Sequence, residues 1–224
     1  MSYEDYFKSE QWSAYLKLME ERPAAFQDSE QIRIITDPET VMEFIERTGR
    51  TIGVLYQSPF SILVVDLVRD AGGEVFAYER LLPAVPGGAV VTVPRCGDSF
   101  ILVKQYRHAI RKTQLSFPRG FGEKNINAID NAAKELKEEI GARVTASRRL
   151  GAVTADSGIL GNEVDVIEAI IEPGEFKSGH EGITEVLLYT EDEMDRLIAE
   201  RQITDGYTLA AWTLYKSSQK NICS

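Results

Sequence analysis

The chain has 224 residues, 43% of them apolar, which allows one or two domains around a sizeable core. Its net charge is −10 and its pI is near 4.9, which argues against a general nucleic-acid binder. An anionic phosphate would therefore have to be held by local cations or a metal, not drawn in by long-range attraction.

Two cysteines, Cys96 and Cys223, give neither a disulfide framework nor a metal-ligand spacing. The polar N-terminus MSYEDYFKSEQ lacks a signal-peptide core, and no apolar run approaches the roughly 20 residues of a membrane span. A reducing cytoplasm and no membrane partner are expected.

Ser9 to Arg22 reads as a helix with Trp12, Tyr15, Leu16 and Met19 on one face and Pro23 as its stop. Asp37-Pro38 opens a second helix carrying Val41, Met42, Phe44 and Ile45, which ends at Gly49. Residues 1–50 are expected as a helical N-terminal extension. It is either an added arm or dimer contact, or two helices packed on their own domain. From Thr51 the texture changes to strands. SILVVDLVRD and EVFAYERLL flank Ala71-Gly72-Gly73 as a first hairpin, within 51–82. AVVTVP and SFILVKQYR flank Arg95-Cys96-Gly97-Asp98 as a second. RRLGAVTADSGILGNEVDVIEAII gives two more strands around a glycine-rich loop, and EVLLYT another. Thr190 with Glu193 forms a capping box, and Asp205 caps a final helix, GYTLAAWTLYKSS. Strands on a mixed sheet with helices on both faces make an α/β sandwich.

Between these lies GFGEKNINAIDNAAKELKEEIG, Gly120 to Gly141. Asn125 or Asn127 can cap a helix here, and Ala128, Ile129, Ala132, Ala133, Leu136 and Ile140 give an apolar stripe. Gly141 suits the left-handed helix stop. Glu135 shares a face with Glu138 and Glu139, so three carboxylates repel one another within about a turn and a half. One reading is a solvated acidic face paired with Lys134 and Lys137. The other is a site for a hard divalent cation such as Mg²⁺, which takes oxygen ligands.

The stretch resembles the Nudix box, G-x5-E-x7-R-E-U-x-E-E-x-G-U with U apolar. Gly120, Glu135, Leu136, Glu138, Glu139 and Gly141 match in register. Ile126 stands where the first glutamate belongs, Lys134 replaces the arginine, and Ala142 is a small version of the last apolar residue. Lysine keeps the charge but not the planar fork. From about Thr51 onward the order of elements resembles the ADP-ribose pyrophosphatase branch of Nudix hydrolases. VKQYRHAI and ITDGYTLAAWTLY match that branch's segment before the box and its closing helix.

The resemblance implies a Nudix α/β/α sandwich over 51–224. It also implies a hydrolase that cleaves the diphosphate of a nucleoside diphosphate sugar with Mg²⁺ or Mn²⁺, and a homodimer. It implies Glu135, Glu138 and Glu139 as metal ligands, with Glu135 also counted as catalytic, and the carbonyl of Arg119 as an added ligand. Glu181 is the expected base, with Glu185 as its competitor. Arg107 and, less directly, Arg119 are expected to clamp phosphate. His108 is expected as a packed or rim residue and not a ligand, and His180 beside Glu181 as a loop residue. Tyr56, Phe60 and Tyr106 are expected in the core. Two differences from the branch, Ser116 before Phe117-Pro118 and Asp156-Ser157-Gly158 without proline, leave another ADP- or UDP-sugar or a dinucleotide open. The departures at Ile126 and Lys134 leave open a nucleotide-binding module with little or no turnover.

Overall fold

The structure, a computed structural model, describes residues 3–179 and 181–220. His180 and Cys223 lie outside the described residues. The chain forms two compact units, Met1–Pro86 with Asp156–Asn162, and Gly87–Ala155 with Glu163–Ser224.

The first unit contains α1 (Tyr3–Phe7), α2 (Glu10–Glu21), a 3-10 turn at Pro23–Phe26, β1 (Ile32–Ile34), α3 (Pro38–Thr48), β2 (Gly53–Gln57), β3 (Ser61–Asp70) and β4 (Val75–Pro83). Local chemistry sets the helix ends. Ser9 Oγ accepts from the Trp12 N–H, Asp37 accepts from Thr40 with Pro38 behind it, and Gly49 closes α3 at φ 70. Strand β3 is the centre of the sheet, with β1, β2 and β4 all antiparallel to it. Tyr15, Val41, Ile52, Val64 and Leu67 share one core, so α2 and α3 close on this sheet. The compact unit consequently runs to Pro86, where the sequence suggested a boundary near 50. Leu16 faces out at 40% exposure, and Leu18 takes its place beside Trp12 and Tyr15. Inside the core the Tyr15 hydroxyl donates to Asp66 over 2.7 Å, and Arg80 pairs with the same carboxylate at 2.5 Å. Burial, then the Asp66 charge, raises the Tyr15 hydroxyl far above the ordinary phenol range, so it stays a donor. Tyr56 and Phe60, expected in the core, are 61% and 64% exposed. The register shifts between Val54 and Tyr56, which turns the side-chain alternation of β2 outward.

The second unit contains β5 (Val90–Cys96), β6 (Ser99–Arg107), β7 (Lys112–Ser116), β8 (Arg119–Gly120), α4 (Ala128–Ile140), β9 (Val144–Val153), β10 (Val164–Ile171), β11 (Ile183–Thr190), α5 (Glu191–Ala199) and α6 (Gly206–Lys220). Its sheet runs β11-β6-β5-β10-β9, with β10 parallel to β5 and the other pairs antiparallel. Period-two alternation sends Val91, Val93, Phe100 and Leu102 into a core with Met194, Ala211 and Trp212. Their neighbours Val90, Ile101 and Val103 go to the opposite face, where Ala132, Leu136 and Ile140 of α4 cover them. This is the α/β/α sandwich expected.

The second hairpin departs from a simple pair. β5 and β6 bond only at Arg95–Phe100 and Cys96–Ser99. Beyond that they splay, and the returning chain fills the gap, with β7 on β6 and β8 on β5. The splay places Arg119–Gly120 inside the sheet, directly ahead of α4.

Candidate active site

α4 begins on Asn127, whose Oδ1 accepts from the Asp130 N–H, and ends at Gly141 with φ 70. Its buried face carries Ala132, Leu136 and Ile140, and also Asn131 and Glu139, while Ile129 is 40% exposed. Asn131 explains its own burial. Its Nδ2 donates to the carbonyls of Gly88 and Phe121, both over 2.8 Å, and so ties the loop before the helix to the start of β5.

Close packing fixes that loop further. A Cβ on Gly120 would fall 2.0 Å from Cδ of Glu135, and one on Gly122 would fall 1.8 Å from the carbonyl oxygen of Gly87. The bare backbone at Gly120 therefore lies directly on the Glu135 side chain. Lys134 forms an ion pair with Glu123 and lies 3.6 Å from Glu138 Oε2.

The three box acids do not share one environment. Glu138 is half exposed and turned toward Lys134. Glu139 is 4% exposed, and its buried Oε2 has no hydrogen-bond partner among the described residues. Burial, then the Glu135 carboxylate, pushes the Glu139 carboxyl up to about 8. Burial, then Glu138, also raises Glu135. Among the described residues no three His, Cys, Asp or Glu side chains stand as a ready-made metal set. Two carboxylates raised by burial and by neighbouring carboxylates, one with an orphaned oxygen, still fit a hard cation. Such an ion needs one or two carboxylates and takes the rest of its shell from water and phosphate.

Cations face these acids from the splayed strands. Arg107, at the end of β6, donates to Ser116 Oγ over 3.2 Å, and its buried Nε has no partner among the described residues. Its pKa is pulled down first by burial and then by Arg119, with Asp205, Glu139 and Glu181 opposing. Arginine remains charged under such pressure. Arg119 Nη1 is 3.4 Å from Asp205 Oδ1, and its guanidinium lies over Tyr207, 5.2 Å from the ring centre. Asp205 also accepts from the backbone and hydroxyl of Thr208, and the Thr208 hydroxyl accepts from the Phe117 N–H at 2.9 Å. On the other side both the backbone and the hydroxyl of Thr92 donate to the Pro118 carbonyl. The segment leading to Gly120 is thus held from α6 and from β5.

Glu181 is exposed, and its backbone takes φ 45, a left-handed value that non-glycine residues adopt at a cost of ~1–3 kcal/mol. The buried Gln105 holds it there by donating to its carbonyl over 2.8 Å. The Glu181 charge acts on Glu135, Glu139 and Arg107, so the loop brings it to the same site. Glu185 instead pairs with Lys104 across β11 and β6 at 2.6 Å. His108 is exposed, with its Nδ1 3.4 Å from Arg111. Tyr106, expected in the core, is 45% exposed. Asp156-Ser157-Gly158 belongs to the first compact unit, where Tyr78 donates to the Gly158 carbonyl over 3.0 Å.

Sequence reasoning missed four supporting residues: Asn131, Gln105, Glu123 and Asp205 as a partner of Arg119. A polar residue on the apolar stripe of α4 was the signal for Asn131. The others depend on pairing across distant segments.

A mixed sheet between helices, with an acid-bearing helix entered through a glycine loop, defines the Nudix fold, and this chain is a Nudix-fold protein resembling the ADP compounds hydrolases. No protein-family model matches it. Over 82 residues, 37% of this chain, it is 33% identical to ADP compounds hydrolase NudE of Escherichia coli (strain K12). That match spans 43% of the relative, less than half its length. The crystal structure of an ADP compounds hydrolase superposes with TM-score 0.65 at 20% identity, over 76% of this chain and 92% of that one.

Proposed function

We propose that this protein is a divalent-metal-dependent hydrolase that cleaves the diphosphate of an ADP-linked compound, with ADP-ribose as the leading candidate. The observation that carries the reading is Glu139. It is a buried carboxyl with an unpaired oxygen beside Glu135, faced by Arg107, Arg119 and Glu181. A buried acid without a partner is costly unless a ligand completes it. The similarity to ADP compounds hydrolases supports the substrate class.

In this reading Glu135 and Glu139 hold Mg²⁺ or Mn²⁺, with the backbone of Arg119 beside them. Glu138 joins only by turning away from Lys134. The ion supplies charge neutralisation on the diphosphate and acidifies water. Arg107, whose guanidinium Ser116 holds, binds a phosphate oxygen, and Arg119 is held ready by Asp205 and Tyr207. Glu181 accepts the proton of the attacking water from its pinned loop. A homodimer belongs to the same reading, supported by the resemblance alone, and a cytoplasmic location, supported by the cysteine usage.

A second reading, a nucleotide-binding module with little or no turnover, is favoured by Ile126 and Lys134, which depart from the box. Incubation with ADP-ribose and Mg²⁺ decides between them. Release of AMP and ribose 5-phosphate supports the hydrolase. Calorimetric binding without AMP supports the module.

A further inference from the structure

The loop from Gly120 to Asn127 is anchored at both ends. Gly120 pairs with Val90, Asn131 holds the Phe121 carbonyl, and Asn127 caps α4. Its middle reverses direction at Asn125, a non-glycine residue with φ 65. The turn brings Glu123 back over the helix, where it meets the Lys134 ammonium. Lys134 immediately precedes Glu135, whose side chain lies under Gly120, and it also faces Glu138 one turn on. One lysine thus joins the loop, the helix and one of the box acids.

We propose that Glu123 and Lys134 are a positioning pair that closes this loop on α4 and holds Gly120 against Glu135. Glu123 thereby supplies, three residues earlier, the acid that Ile126 lacks. Held by Glu123, Lys134 also keeps Glu138 turned away, leaving Glu135 and Glu139 as the working pair. Neither partner touches substrate. The pair acts by fixing the backbone over a ligand carboxylate, and outer partners of this kind typically carry 10–100-fold in activity or metal affinity. The inference rests on the hydrolase reading for its catalytic consequence, but not for the closure of the loop.

The test compares Glu123→Gln, Lys134→Met, their double variant and Lys134→Arg with the unaltered chain. Hydrolysis of ADP-ribose with Mg²⁺ and amide hydrogen exchange over residues 121–127 are both measured. Each single variant is expected to lower kcat about 10-fold, leave KM within about twofold and speed loop exchange, with the double variant no worse than either. Lys134→Arg retains kcat, because the charge still reaches Glu123. Additive losses, unchanged exchange, or an effect confined to KM would overturn the pair. If the unaltered chain hydrolyses no ADP-linked diphosphate, the hydrolase reading fails by itself. Exchange then decides the pair, with equal and non-additive deprotection upholding it and unchanged protection overturning it.

Discussion

Arg119 reaches Asp205 across 3.4 Å with one oxygen of the carboxylate, while the other oxygen caps α6 through Thr208. One buried side chain therefore sets a helix start and the position of the Arg119 guanidinium together. Asp205→Asn keeps a cap acceptor but drops the charge. It should leave the denaturant midpoint nearly unchanged and raise KM for ADP-ribose about tenfold, equivalent to ~1.4 kcal/mol. Asp205→Ala should in addition lose ~1 kcal/mol of stability. Unaltered kinetics in the asparagine variant would show that Arg119 needs no anchor.

Glu139 makes the metal-free protein sensitive to pH. Its folded carboxyl titrates near 8, well above the 4.5 of an ordinary glutamate. Between those values the folded state holds a proton that the unfolded state has released, so stability falls as pH rises through that window. Chemical denaturation in EDTA should show this slope, and Glu139→Gln should flatten it. Mg²⁺ competes with the same proton, so Mg²⁺ affinity should climb with pH up to about 8. Glu139→Gln should also remove most Mg²⁺-dependent turnover while the fold persists. Full turnover in that variant would defeat the assignment of the site.

Two glycines of the entry loop should fail in different ways. In Gly120→Ala the new methyl meets the far end of the Glu135 side chain at 2.0 Å, which can swing aside. Stability should change by less than ~1 kcal/mol, with kcat falling sharply as Glu135 moves. In Gly122→Ala the methyl meets the Gly87 carbonyl at 1.8 Å, and backbone cannot swing. Here the melting temperature itself should drop. Equal stability losses in the two variants would contradict the packing described.

Glu181 should behave as a proton acceptor held by its loop. Glu181→Gln is expected to lower kcat by ~10²–10⁴-fold with little change in KM. Glu181→Gly relieves the left-handed strain at φ 45, so it should be at least as stable while equally inactive. A glutamine variant with normal kcat would hand the role to another group.

Helix ends were the most legible part of this protein. Asp37, Thr190 and Asp205 cap where they were expected, and Gly49 and Gly141 stop their helices, because capping is settled within four residues. The acid spacing on α4 was legible for the same reason. Burial was less so. Leu16, Ile129, Tyr56, Phe60 and Tyr106 are apolar or aromatic yet face outward, since a side chain's neighbours come from elsewhere in the chain.

By itself, the sequence determined that one helix would present Glu135, Glu138 and Glu139 on adjoining turns, because helical geometry is local. Only the tertiary structure decided that they part ways. Glu139 is buried with an open oxygen, Glu135 lies under Gly120, and Glu138 turns to Lys134. That sorting comes from the splayed hairpin of β5 and β6, which lets a distant strand carry Arg119 and Gly120 onto the helix, and no spacing along the chain encodes it.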